Sequence, residues 1–175
     1  MARWGHLIHG PELPRDVFAA DIAEGSEPLC PTLVEHVRAR SIAVRHALAR
    51  VCNALMALGL GEDDAGSLEL ILAEAMNNTV EHAYGTMDGG EGGWIALEVD
   101  FLSDWVICRL TDCGKAMPGS IPEPQKATPV DIPRSDLPEG GFGWLLIHEL
   151  TEHLVYRRWA EINTLTFAMR LQPAG

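Results

Sequence analysis

At 175 residues, 47% of them hydrophobic and 22% charged, the chain has the length of one ordinary domain and the composition of a globular protein, which excludes a disordered or low-complexity chain. Thirteen Lys+Arg against 25 Asp+Glu leave a formal net charge of −12. A field of that sign repels phosphate backbones and anionic lipid, so it argues against direct nucleic-acid or membrane-surface binding, and a nucleotide ligand would need local donors or a metal.

No apolar run approaches the about 20 residues of a membrane span. Residues 1–10, with one Arg and no sustained apolar stretch, do not read as a signal peptide. Cys30, Cys52, Cys108 and Cys113 form no C-x-x-C pair and no zinc spacing. They read as reduced thiols of a cytoplasmic protein, with Cys108 and Cys113 expected to pack at a strand end.

Residues 1–31 form a loose lead-in with Pro11, Pro14, Pro28 and Pro31, in which residues 17–22 read as a short edge strand. Residues 32–175 read as a single domain. Thr32 stands where it would N-cap a helix, with Glu35 completing a capping box. That helix runs through Val37, Val44, Leu48, Val51, Leu55 and Leu58 and stops at Gly59 and Gly61. A second helix begins near Asp63 and Asp64, carries Leu68, Ile71, Leu72, Ala75, Met76 and Val80, and ends at Gly85. An Asp-Gly-Gly loop at residues 88–90 follows.

Residues 94–102 alternate, with Ile95, Leu97, Val99 and Phe101 on one side; residues 105–111 alternate again, with Val106, Cys108 and Leu110. Ser103 and Asp104 turn one into the other, giving a β-hairpin. Next comes a Pro/Gly-rich stretch with five prolines from Pro118 to Pro133 and a sixth at Pro138. At about 25 residues it is too long for an ordinary connection and reads as a lid over about residues 115–141. Residues 143–150 then read as a short helix, and residues 154–158 and 164–171 as a second hairpin. This order predicts an α+β fold: a two-layer sandwich with helices on one face of a mostly antiparallel sheet.

Three motifs carry chemistry. Wound as a helix at about 100° per residue, Glu74, Asn77, Asn78, Glu81 and His82 fall on one stripe that holds no Lys or Arg. A solvated face is the competing reading, but such a face more often carries Lys, Arg, Glu and Gln, and two adjacent mid-helix asparagines cost stability. Glu74 and Asn78 sit one turn apart and offer hard oxygens of the kind that suit Mg²⁺. The second motif, Asp112-Cys113-Gly114-Lys115, follows a buried strand. The carboxylate would accept from an exocyclic amine and the glycine would let a planar ring approach, unless the run is a plain Asp-x-Gly turn. In the third, Gly140, Gly141 and Gly143 around Phe142 open a helix. Backbone N–H groups there would wrap an anion at the helix N-terminus, the competing reading being a hinge of the lid. It is neither a Walker A nor a Rossmann fingerprint.

In this order and spacing the three motifs resemble the GHKL ATPase superfamily, which includes gyrase-type ATPases, histidine-kinase catalytic domains and MutL. The run from Leu72-Ala73-Glu74-Ala75 through Asn77-Asn78 to His82-Ala83-Tyr84 is similar to the corresponding helix of anti-sigma-factor serine kinases of the RsbW type. Asn163-Thr164-Leu165 resembles that family's closing strand, and the similarity spans roughly residues 32–171.

The resemblance implies a Bergerat-type ATP-binding fold with ATP and Mg²⁺ as cofactors. It implies that Asn78 ligates Mg²⁺ and that Glu74 is the general base or orients the attacking hydroxyl. Asp112 would bind the adenine amine with Gly114 beside the ring, and Gly140, Gly141, Phe142 and Gly143 would hold the phosphates, with Lys115 near them. His82 and Tyr84 would line or buttress the pocket, or simply pack. Glu139 precedes the glycines where some relatives place a basic residue, which leaves Lys115, Lys126 and Arg134 to stabilise phosphate charge. The activity implied is that of a cytoplasmic serine/threonine kinase and anti-sigma factor, acting on a STAS-domain anti-anti-sigma protein, sequestering a sigma factor and forming a homodimer. The alternative is a nucleotide-gated sequestering module without phosphotransfer. The ATP-binding half of a histidine-kinase system ranks last, since no helical hairpin with a phosphoacceptor His precedes the domain.

Overall fold

Alternating apolar residues and two amphipathic helices assemble here into a five-stranded antiparallel sheet backed by three helices. The structure, a computed structural model, describes residues 33–85, 93–102, 104–117 and 142–172. The elements are β1 (Leu33–Arg38), α1 (Ser41–Ala57), α2 (Glu62–Asn78) continuing into a π-helical turn (Thr79–Ala83), β2 (Trp94–Phe101), β3 (Trp105–Asp112), α3 (Phe142–Leu150), β4 (Glu152–Trp159) and β5 (Ile162–Arg170). The strand order is β1-β2-β3-β5-β4, every pair antiparallel. The expected α+β sandwich is the observed architecture. No helix among the described residues is long and apolar enough to cross a membrane. The strand expected at residues 17–22, Cys30 and most of the expected lid lie outside the described residues.

The core lies between the helices and one sheet face. The inward residues expected on β2 and β3 are the buried ones, Ile95, Leu97, Val99, Phe101, Val106, Cys108 and Leu110. They meet Val44, Leu48, Val51 and Leu55 from α1, Leu68, Ile71, Leu72 and Met76 from α2, Ile147 from α3 and Phe167 from β5. Burial pushes the Cys108 thiol far above its ordinary pKa, and that of Cys52 up to about 11. Cys113, expected to pack, is exposed instead, because it follows the last β3 residue on the way out of the sheet.

The start of the first expected helix is corrected. Residues 33–38 are strand, and α1 begins at Ser41. Leu33, Glu35 and Val37 alternate with the exposed Val34, His36 and Arg38, and the run pairs with β2 from Leu33 opposite Val99 to Arg38 opposite Trp94. Glu35 completes no capping box. Its carboxylate accepts two bonds from the Arg50 guanidinium of α1, at 3.0 and 2.7 Å, and this pairing holds it below the usual carboxylate range.

The second correction is at the end of α2. Thr79 Oγ1 bonds back to the Ala75 carbonyl at 3.0 Å, and the chain widens into π winding before Gly85, at φ 75°, ends the helix. Local π winding is often found at functional positions. Here it re-aims every side chain after Asn78 relative to a regular α-helix.

Candidate nucleotide site

A pocket of about 230 Å³ opens between the end of α2, the β3 and β5 strands and the start of α3. Leu110 and Leu165, directly opposite each other on β3 and β5, contribute apolar surface. Asn78, Thr79 and His82 line it from the helix, and Trp144 lines it from α3. Asp112 and Asn163, the next inward pair along β3 and β5, are buried polar residues in its wall.

Asp112 is held from two directions. Its Oδ1 accepts the Gly114 N–H at 2.7 Å and the Asn163 side-chain amide at 2.8 Å. Burial raises its pKa, and the Asn163 and Gly114 bonds and the Arg158 charge act against that rise. Among the described residues Oδ2 has no partner, so a carboxylate oxygen in the pocket wall remains for a ligand donor.

Gly114 sits beside Asp112, but its demand for a bare Cα comes from the helix. A Cβ there would lie 2.6 Å from the Ala83 Cβ and 2.7 Å from the Ala83 carbonyl. The close approach lets Lys115 N–H bond that carbonyl at 2.8 Å, docking the strand end onto the π turn. Lys115 and Met117 then line the pocket rim.

At the other end three residues from two motifs meet. A Cβ on Gly143 would overlap Glu74 Oε2 and come within 3.7 Å of Asn78 Nδ2. The second residue of α3 is thus pressed against the one-turn pair of α2, and only a hydrogen leaves room for that contact. Asn78 Nδ2 is buried with no hydrogen-bond partner among the described residues. A buried amide left unpaired costs about 1–3 kcal/mol, and such exceptions mark places where a ligand completes the bonding.

The chain matches the family model described as the histidine kinase-like ATPase domain over residues 35–169. The chain belongs to this histidine kinase-like ATPase family. It is also 32% identical over 111 residues to the serine-protein kinase RsbW of Halalkalibacterium halodurans; the alignment covers 62% of this chain and 63% of that protein's length. Among solved structures it resembles the RsbU and RsbW domains of a Mycobacterium tuberculosis protein, with a TM-score of 0.53 and 20% identity over 83% of this chain and 34% of that one. That likeness bears on the fold.

For a histidine kinase-like ATPase the test is whether the residues present fit Mg²⁺ and a nucleotide. Among the described residues no cluster of three or more His, Cys, Asp and Glu stands ready to cage a metal. Mg²⁺ keeps several waters and is commonly held by one or two side chains together with substrate phosphates. A pocket-lining amide beside a carboxylate, at a helix start free of side-chain bulk, fits that pattern.

Of the expected site residues, Asn78, His82, Asp112 and Lys115 line the pocket. Glu74, Gly114 and Gly143 are not in the lining; Glu74 and Gly143 meet each other beside the pocket-lining Asn78. Asn77 and Glu81 are exposed and outside it. Tyr84 is also outside the lining and acts as a buttress. Its hydroxyl donates to the Trp94 carbonyl at 2.9 Å and accepts the Cys113 N–H at 3.1 Å, with its ring over Gly93. Phe142 is the first residue of α3. Gly140, Gly141, Lys126 and Arg134 lie outside the described residues.

Tyr156 and Arg158 were not singled out by sequence reasoning, and Asn163 was noted only as part of a strand motif. Yet Asn163 is the centre of the hydrogen bonds around Asp112. The signal was the pairing of the β4–β5 hairpin, which places Arg158 opposite Asn163 and Tyr156 opposite Leu165.

Proposed function

We propose that this protein binds Mg-ATP in the pocket and transfers the γ-phosphoryl group to a serine or threonine of a small STAS-domain protein. In the same reading it is a cytoplasmic anti-sigma factor, holding a sigma factor when the STAS partner is absent, and works as a homodimer. The observation that carries it is the meeting of Glu74 and Gly143 at Asn78, which lines the same pocket as the buried Asp112. The family match and the likeness to a serine-protein kinase support it.

Each residue has a task in this reading. Asp112 accepts a hydrogen bond from the adenine amine. Asn78 holds Mg²⁺ through its amide oxygen, and the bound ion neutralises phosphate charge. Glu74 accepts the proton of the attacking hydroxyl, a role typically worth about 10²–10⁴-fold in rate. The N–H groups of Phe142 and Gly143 at the start of α3 donate to phosphate oxygens where the helix dipole adds partial positive charge, and the preceding Gly140 and Gly141 of the sequence serve the same phosphates.

Labelled ATP and a candidate STAS protein test the proposal. Acid-stable label on the partner is the expected result, and acid-labile label would mean transfer to histidine. One observation favours a second reading, a nucleotide-gated sequestering module: among the described residues Lys115 is the one Lys or Arg lining the pocket, and phosphoryl transfer depends on cationic stabilisation. Measurable ATP binding with no label on any partner would select it.

A further inference from the structure

Asp112 is fixed less by its own strand than by the β4–β5 hairpin. Asn163 spends its whole side chain on this task. Its Nδ2 donates to Asp112 Oδ1 at 2.8 Å, to the Lys115 carbonyl at 3.1 Å and to the Gly114 carbonyl at 3.3 Å. Its Oδ1 accepts from the Tyr156 hydroxyl at 2.7 Å and from the Arg158 guanidinium. Arg158 also donates to the Gly114 carbonyl at 3.0 Å, and the Tyr156 hydroxyl accepts the Met117 N–H at 3.0 Å. Asn163 is 3% exposed. Two donors on its oxygen fix which way the amide points, so the nitrogen must face Asp112.

The arrangement assigns the two oxygens of Asp112 different tasks. Oδ1 is taken by Asn163 and Gly114, and a carboxylate with one oxygen pinned has a fixed plane. We propose that Asn163, braced by Tyr156 and Arg158, is a positioning residue that sets selectivity for a 6-aminopurine over purines lacking that amine, by occupying one oxygen of Asp112 and leaving the other for the base. This rests on the nucleotide reading above. Sites built to hydrogen-bond a specific donor discriminate far better than apolar walls, provided the acceptor is held still.

A merely structural Asn163, stapling the hairpin to the strand end, would support the whole pocket evenly. The two roles separate by calorimetry with two probes, Mg-ATP and the Mg complex of purine riboside triphosphate, which lacks the 6-amino group. Wild type is expected to prefer ATP. Asn163→Ala should lose about tenfold in ATP affinity, as expected for a hydrogen bond to a charged group, with little change for the analogue. Asn163→Ala should add nothing further to Asp112→Ala, since coupled residues are non-additive. Equal weakening of both nucleotides, or additive losses in the double variant, would overturn the positioning role.

Tyr156→Phe covers the case in which Asn163→Ala fails to fold. It keeps the ring and removes the hydroxyl bonds to Asn163 and Met117. A smaller loss confined to ATP, on the order of two- to threefold, is expected, as for a neutral hydrogen bond; unchanged selectivity would overturn the brace. A wild type that binds both probes equally would remove Asp112 as the adenine contact and this inference with it, whereas a selective wild type with an evenly weakened Asn163→Ala would refute the inference alone.

Discussion

The two ends of the pocket are built on opposite principles. Around Asp112, Asn163 makes bonds through both its side-chain atoms, and two elements converge to fix one carboxylate oxygen. Around Asn78, a buried amide nitrogen has no partner among the described residues and a carboxylate is pressed against a bare glycine. The polar groups of the first end are paired with one another; the second holds a donor unpaired among the described residues. In the proposed reading a base meets the rigid acceptor, phosphate oxygens take up the unspent N–H donor, and the Asn78 amide oxygen would hold the metal.

The sharpest way to break this contrast is at Glu74. Glu74→Gln should leave Mg-ATP affinity nearly unchanged and lower phosphotransfer about 10²–10⁴-fold. A normal rate of partner labelling would remove it from the chemistry. Next in size is Gly143→Ala, where the new methyl overlaps Glu74 Oε2. The carboxylate is the end of a flexible side chain, so it should swing away at a stability cost of about 1–3 kcal/mol at most. A tenfold or larger loss of transfer, with Tm lowered by only a few degrees, is the expected pattern in a labelling assay and a thermal melt.

The Asp112 end gives smaller effects of a different kind. Gly114→Ala sets a methyl against backbone at Ala83, which cannot swing away, so it should lose stability of about 1–3 kcal/mol by denaturant unfolding rather than chemistry. Asp112→Asn should do the reverse. Burial raises the folded-state pKa of Asp112 above its ordinary value. The folded state therefore binds the proton more tightly than the unfolded one, and its stability falls as pH rises from the ordinary carboxylate range through that raised value. Asp112→Asn removes this penalty and should melt at or above wild type at pH 7. Its advantage should vanish as pH falls below the raised pKa. A variant less stable than wild type at neutral pH, with no pH trend, would mean that Arg158 and Asn163 outweigh burial.

Much of this was legible in the sequence because it rests on local period. The alternation in β2 and β3 named the inward residues, and the spacing of Glu74 and Asn78 placed both on one turn. What failed was where two local signals conflict or where a signal lies in pairing. Residues 32–35 spell a capping box, yet the alternation of Leu33, Glu35 and Val37 and a partner strand prevailed. Of the helical stripe, Asn78 and His82 line the pocket, while Glu74, Asn77 and Glu81 do not, and the winding turns to π after Asn78. The β4–β5 turn runs through Ala160 at φ 44° and Glu161 at φ 69°. Glycine or asparagine usually marks such a turn, so no residue type here signals that β4 and β5 extend to meet. Without that tight turn, Asn163 reads as loop, and its bond to Asp112 is invisible.

Asn78 carries the central claim, and Mg²⁺-dependent ATP binding tests it most directly. Its amide nitrogen has no hydrogen-bond partner among the described residues, so Asn78→Ala should leave the melting temperature of the ligand-free protein unchanged or raised. Calorimetry should show ATP affinity that rises on adding Mg²⁺ for wild type, and a variant at least about tenfold weaker whose affinity no longer responds to the ion. A well-folded Asn78→Ala protein with wild-type affinity and the same Mg²⁺ dependence would contradict the account.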